Sequence, residues 1–125
     1  MAKIVVCDDE ANIRGAVMAL VGMLGHEVTG FADGEELLDN LGLGEHFVSP
    51  LTPDLLILDI RMPKQDGFSV LARLQADERC RKIPVIILTS QGKTKELFQL
   101  AGVSAFLEKP FDPEALQKEV QRFLP

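Results

Sequence analysis

Apolar and polar positions along this chain alternate between two rhythms. Lys3–Cys7 is an apolar run rich in valine and isoleucine, the pattern of a strand buried on both faces. Ile13, Ala16, Val17, Leu20, Val21 and Leu24 then recur at helical spacing, and Gly25 supplies a stop. His26–Gly30 reads as a short second strand. Asp33 is placed to cap a helix running through Leu41, with Leu37, Leu38 and Leu41 on one face and Gly42 after it. Leu55–Leu58 is another buried strand, opened by Pro53-Asp54 and closed by Asp59. Beyond a loop holding Pro63 and Gly67, Phe68–Ala76 returns to helical spacing at Val70, Leu71 and Leu74. Pro84 introduces a strand over Val85–Leu88. Lys93–Ala101 reads as a helix ended by Gly102, and Ser104–Leu107 as a fifth strand. Asp112-Pro113 offers a capping residue and a first-turn proline for the last helix, Glu114–Leu124, which turns Leu116, Val120, Phe123 and Leu124 inward.

Five strand–helix units in succession predict an α/β fold, a doubly wound parallel sheet with helices on both faces. Right-handed crossovers leave few topologies, and the flavodoxin-like (βα)5 order 2-1-3-4-5 fits five strands best. One connection is unusual. Gly42–Pro53 joins a helix to a strand over many more residues than the usual 2–6 or so. It is expected at the sheet edge opposite the strands' carboxyl ends, either as a tolerated insertion or as a partner-specific contact.

A length of 125 residues predicts one domain over 1–125, large enough for a single core. Apolar residues make up 46% and charged residues 26%, an ordinary globular mixture, and no apolar run approaches the roughly 18 residues that span a bilayer. A net charge of −6 argues against nucleic-acid binding through a basic surface. The two cysteines, Cys7 and Cys80, form no CxxC pair and have no histidine partner, so neither a thiolate metal site nor a disulfide scaffold is expected, and the setting is read as reducing and cytoplasmic. The ending at Pro125, right after the last helix, fits a stand-alone domain and a piece of a longer protein equally; the Met-Ala-Lys opening leans slightly to stand-alone.

Candidate chemistry gathers where such sheets bind ligands, beyond the carboxyl ends of the strands. Asp8, Asp9 and Glu10 follow the first strand, Asp59 the third, Thr89 and Ser90 the fourth, and Glu108 and Lys109 the fifth. A charged residue after a single strand is commonplace; convergence from four strands carries the weight. Asp8, Asp9 and Asp59 would crowd three carboxylates within a few ångströms, where like charges repel and cost stability. A hard divalent cation relieves this, and an all-oxygen donor set suits Mg²⁺. Lys109 would add a fixed positive charge and Thr89 a hydroxyl donor. Both fit phosphoryl transfer, in which positioning and charge neutralisation do most of the catalysis. A carboxylate can itself be the nucleophile, giving an acyl phosphate.

These residues, with Leu55-Leu56-Ile57-Leu58-Asp59, Met62-Pro63-Lys64-Gln65-Asp66-Gly67, Leu88-Thr89-Ser90 and Lys109-Pro110-Phe111, resemble the receiver domain of bacterial two-component response regulators over essentially the whole chain. The resemblance implies that Asp59 is the phosphoacceptor, with the phosphoryl group supplied by a histidine kinase or phosphotransfer protein. It makes Asp9 the main Mg²⁺ ligand, with Asp8 holding a metal-bound water and the backbone carbonyl of Arg61 a third protein ligand. Thr89 and Lys109 would read the phosphoryl oxygens. Thr89 and Phe106 would form the switch, and the bond from Lys109 to Pro110 would be cis. The signalling face would be the fourth helix, fifth strand and last helix, read by a downstream protein or fused output domain. Direct nucleic-acid or membrane contact is not implied. Arg61 and Gln91 fall at positions variable in the family; they either tune dephosphorylation or, for Arg61, point to solvent.

Two other classes fit less well. A phosphatase with an aspartate nucleophile usually carries a second acid two residues on, and this chain has Arg61 there. A flavin carrier should show a Ser/Thr/Gly-rich loop after the first strand, where this chain has Asp-Asp-Glu. A receiver that no longer takes phosphate, acting only as an interaction module, should have lost an acid or the lysine, and all are present.

Overall fold

The computed structural model describes residues 2–44, 50–60, 67–89 and 103–124. The predicted helix over Lys93–Ala101, together with Arg61, Pro63 and Gln91, lies outside the described residues.

Five strands form one parallel sheet: β1 (Lys3–Cys7), β2 (Glu27–Phe31), β3 (Leu55–Asp59), β4 (Val85–Thr89) and β5 (Val103–Glu108), in the order β2-β1-β3-β4-β5. This is the flavodoxin-like order expected from the pattern. The described helices are α1 (Ala11–Gly22), α2 (Gly34–Asn40), α3 (Gly67–Gln75) and α4 (Pro113–Phe123), with a short 3-10 turn at Cys80–Lys82.

Strand periodicity sorts the core into two halves, because successive side chains point to opposite faces. Ile4, Val6, Leu55, Ile57, Ile86 and Leu88 face α1 and α4, meeting Val17, Val21, Leu116 and Val120. Val5, Cys7, Leu56, Leu58, Val85 and Ile87 face α2 and α3, meeting Leu37, Leu38, Val70, Leu71 and Leu74. β3 and β4 are buried along their whole length, which is why both read as unbroken apolar runs.

Local chemistry starts and stops the helices as expected. The Asp33 carboxylate accepts from Glu36 N at 2.8 Å, and Asp112 accepts from Glu114 N at 3.1 Å, each satisfying an orphan donor of the first turn. Gly25 and Gly42 hold φ of 88° and 80° beyond α1 and α2, a left-handed conformation that favours glycine.

Three details depart from the pattern. Ala16 is exposed, because it falls at the edge of the arc that Ile13, Val17, Leu20 and Val21 turn toward the sheet. β2 begins at Glu27 and extends to Phe31; His26 instead accepts from Ala2 N through Nδ1 at 3.2 Å. β5 is longer at both ends than Ser104–Leu107. Its register shifts as Val85 pairs with Val103 and Ile86 with Ala105, and the Ser104 hydroxyl accepts from Val85 N at 3.3 Å to cover the interruption.

The long helix-to-strand connection leaves and rejoins the core through a closed neck. Leu51 N donates to Asn40 O at 2.8 Å, and Leu43 and Leu51 pack against the α2/α3 side of the core. The Arg79 guanidinium spans the neck, donating from Nη1 to Leu51 O at 3.0 Å and from Nη2 to Leu41 O. Arg73 from α3 donates to Leu43 O. A forked cation can satisfy two carbonyls at once, where an ammonium is a point charge. Arg79→Ala is expected to lower stability by about 1 kcal/mol, with Arg79→Lys recovering little of it. Urea denaturation, with an unchanged slope and a lower midpoint, checks this.

No helix among the described residues is long and apolar enough to cross a membrane.

Candidate functional site

The carboxyl ends of the strands converge as the sheet topology requires. Asp8 directly follows β1, Asp59 closes β3, Thr89 closes β4, and Lys109 directly follows β5. Main-chain bonds carry the ladder one step past the strands and fix where these side chains start. Asp8 N donates to Phe31 O at 3.1 Å, Ile60 N to Leu88 O at 3.1 Å, and Lys109 N to Thr89 O at 2.6 Å.

Lys109 reaches back from the edge strand toward carboxylates that follow β1 and close β3. Its ammonium donates to Asp8 Oδ2 at 2.9 Å and stands 3.6 Å from Asp59 Oδ1 and 3.7 Å from Glu10 Oε1. Asp8, Asp59 and Thr89 are all buried, with Asp8 fully enclosed. Burial by itself pulls the Lys109 ammonium down. The hydrogen bond it donates to Asp8 and the charges of Asp59, Asp8 and Glu10 outweigh it, and the net shift is upward. Lys109 therefore stays charged across the physiological range.

Asp8, Asp9 and Asp59 each present a carboxylate oxygen, and all three oxygens lie within 4.8 Å of one another. Ligands of one Mg²⁺ stand roughly 3–4 Å apart when each bond is near 2.1 Å, so this cluster closes on a single ion with small side-chain rotations. Its donors are all hard oxygens, as Mg²⁺ prefers, and the exposed Asp9 leaves an open side for water or phosphate. The residues fit the ion. The carbonyl of Arg61, expected as a further ligand, lies outside the described residues.

The remaining expected residues fall as follows. Phe106 pairs with Ile87 in the sheet and packs, half-buried, against the α2/α3 side of the core. The Lys109-Pro110 bond is cis.

Three residues contribute beyond what the sequence assigned them. Arg14, in α1, donates from Nη1 to Asp8 O at 2.8 Å and pins the turn that presents Asp8 and Asp9. Its only signal was a cation within two helical turns of the acidic pair. Glu10 fixes Asp8 through its main chain, N donating to Asp8 Oδ1 at 2.9 Å, while its side chain faces Lys109. Gly67 opens α3 and donates from N to Ile60 O at 2.9 Å. A Cβ there would stand 2.6 Å from Ile60 Cα and 2.9 Å from Asp59 O. Glycine is required at this position by close backbone approach.

The class defined by this fold and site is a small parallel α/β domain with an acidic cluster and a half-buried ammonium, that of Lys109, at its carboxyl edge. The chain belongs to the response regulator receiver domain family, whose model matches residues 4–121. It is similar to the DNA-binding dual master transcriptional regulator RpaA of Synechocystis sp., 36% identical over 126 residues that cover 99% of this chain and 49% of that protein. The chain thus spans about half the length of the first curated relatives it matches. Among solved structures it is similar to the chemotaxis response regulator CheY4 of Vibrio cholerae, with 30% identity, a TM-score of 0.87 and 99% of each chain covered. It is also similar to the receiver domain of the sensor histidine kinase PA1611 of Pseudomonas aeruginosa, a structure with a magnesium ion coordinated in the active-site cleft. That match has 30% identity, a TM-score of 0.83, and covers 98% of this chain and 96% of that one. The chain is a receiver domain of two-component signalling.

Two outcomes test this geometry. Gly67→Ala must push the Ile60 backbone away from α3, so a loss of at least about 2 kcal/mol in urea denaturation is expected. The second concerns the thiols. Burial, and then the carboxylates of Asp33, Asp8 and Asp59, push the Cys7 thiol far up. Burial and the hydrogen bond to Asp77 push Cys80 up to about 11. A raised value means a protonated, unreactive thiol below it. At pH 8, roughly one Cys80 in a thousand would be thiolate, so a thiol-specific reagent should label the folded chain very slowly and the urea-unfolded chain quickly at both cysteines.

Proposed function

We propose that this receiver domain, spanning 1–125, accepts a phosphoryl group on Asp59 from a histidine kinase or phosphotransfer protein. The observation that carries the reading is the Lys109 ammonium, held between the buried carboxylates of Asp8 and Asp59 at 2.9 and 3.6 Å. A cation fixed at that point neutralises charge on a phosphoryl group bonded to Asp59 and is in place before the reaction begins.

In the transfer, an Asp59 carboxylate oxygen attacks phosphorus. The new P–O bond forms as the donor's P–N bond breaks, and the electron pair stays on the departing imidazole nitrogen. Asp8, Asp9 and Asp59, with the Arg61 carbonyl, would hold Mg²⁺, which when bound offsets negative charge on the phosphoryl oxygens. Arg14 keeps the Asp8-Asp9 turn in position by its bond to Asp8 O. Lys109 is anchored at its own main chain by Thr89 O, so the ammonium approaches from a fixed origin. Hydrolysis of the acyl phosphate then resets the domain, so it consumes its donor once per cycle and turns over no separate substrate.

Thr89 would move toward the phosphoryl group, and Phe106, on the adjacent strand and half-buried, would fill the space it leaves. That rearrangement would reshape the face to which β5 and α4 contribute, to be read by a downstream protein or an output domain. Cys7 and Cys80, both buried thiols, suit a cytoplasmic setting. The purely non-phosphorylated interaction module gains nothing from keeping three carboxylates and an ammonium at one rim.

The test is uptake of beryllofluoride, a phosphoryl mimic. With neither Trp nor Tyr in the chain, NMR or calorimetry is the readout. Binding is expected only with Mg²⁺ present and is expected to vanish in Asp59→Asn. Binding that survives the substitution would remove Asp59 from the role.

A further inference from the structure

Three carboxylates stand within 4 Å of the Lys109 ammonium among the described residues, and they differ in one decisive respect. The side chains of Asp8 and Asp59 are 0% and 5% exposed, whereas that of Glu10 is 61% exposed. Glu10 is also the residue that precedes α1, where a short Asp, Asn, Ser or Thr side chain commonly accepts from the first-turn N–H groups; the longer Glu10 side chain makes no such bond. Its main chain secures Asp8, its side chain stays uncommitted to the helix, and the carboxylate faces Lys109 at 3.7 Å.

Resting on the phosphoacceptor reading of Asp59, we propose that Glu10 is a positioning residue that holds Lys109 in the unphosphorylated domain and competes with the phosphoryl group for its ammonium. An arriving phosphoryl group brings anionic oxygens to Asp59, beside the ammonium, and these compete with Glu10 for it. Asp8 cannot yield easily, being enclosed and held by Glu10 N. Glu10 can, because its carboxylate exchanges the ammonium for water and regains side-chain freedom. Displacement of Glu10 is therefore a built-in cost of phosphorylation, and it is small because the pair is exposed and screened. The role lies in the side chain alone, so substitution leaves the main-chain support of Asp8 intact.

The experiment measures affinity for beryllofluoride at saturating Mg²⁺, and for Mg²⁺ alone, in the unsubstituted chain, Glu10→Gln and Glu10→Asp. Glu10→Gln is expected to tighten beryllofluoride about two- to fivefold at low salt, with the difference shrinking as salt is raised. Glu10→Asp keeps the charge but draws it back from Lys109, and is expected to tighten it as well. Unchanged or weaker beryllofluoride binding in Glu10→Gln overturns the inference while leaving the phosphoacceptor reading in place. So does Glu10→Asp matching the unsubstituted chain while Glu10→Gln tightens, since that pattern belongs to charge at a distance and not to contact with Lys109. Weakening of both beryllofluoride and Mg²⁺ in Glu10→Gln would assign the side chain a structural role and also overturn it. Failure of the unsubstituted chain to take up beryllofluoride overturns both readings together.

Discussion

A lysine that follows the edge strand β5 and reaches inward to the first strand's aspartate is the constraint on which the site depends. Asp8 and Asp59 are buried carboxylates side by side, and burying like charges is costly unless a counter-charge is enclosed with them. Lys109 supplies that counter-charge at 2.9 Å from Asp8, across a sequence separation of 101 residues. The contact can form only if β1, β3 and β5 lie in one sheet, in one direction and in register. The topology is therefore a precondition of the electrostatics, and the electrostatics in turn reward that topology over alternatives that would leave a carboxylate enclosed alone.

The main chain does much of the positioning. Each site residue sits at or just beyond the last rung of a strand, and ladder bonds past the strand ends fix the starting point of its side chain. Gly67 extends this control to α3, whose first residue is drawn against the peptide that follows Asp59. A helix that packs this tightly on the backbone of Asp59 and Ile60 ties the position of the α2/α3 layer to that of the Asp59 carboxylate.

The parts that could be read directly from the chain share a physical property: they are encoded locally. The buried runs at Leu55–Leu58 and Val85–Leu88, the caps at Asp33 and Asp112 and the stops at Gly25 and Gly42 each depend on a few neighbouring residues. The acidic cluster and Lys109 could be placed because strand ends fall on a common rim in a parallel sheet. What escaped notice was long-range and polar. Arg14 on Asp8 O, Arg79 across two carbonyls and Glu10 beside Lys109 depend on where a long side chain turns after the fold has formed. Charged residues of that kind look, in sequence, like any solvated surface position. The register shift at Ser104 escaped for another reason: a hydroxyl standing in for a main-chain partner leaves no mark on hydrophobic periodicity.

The closed neck at Asn40 and Leu51 has a bearing on how this domain tolerates change. With the two ends of the excursion joined by a 2.8 Å main-chain bond and bridged by one guanidinium, β3 receives the same starting geometry whatever chain lies between them. Lengthening such a closed segment costs only about 0.6 kcal/mol per doubling. The neck therefore behaves as a socket. Foreign sequence, a reporter peptide or an added recognition element could be grafted there, at the far end of the sheet from the carboxylates, without passing strain to them.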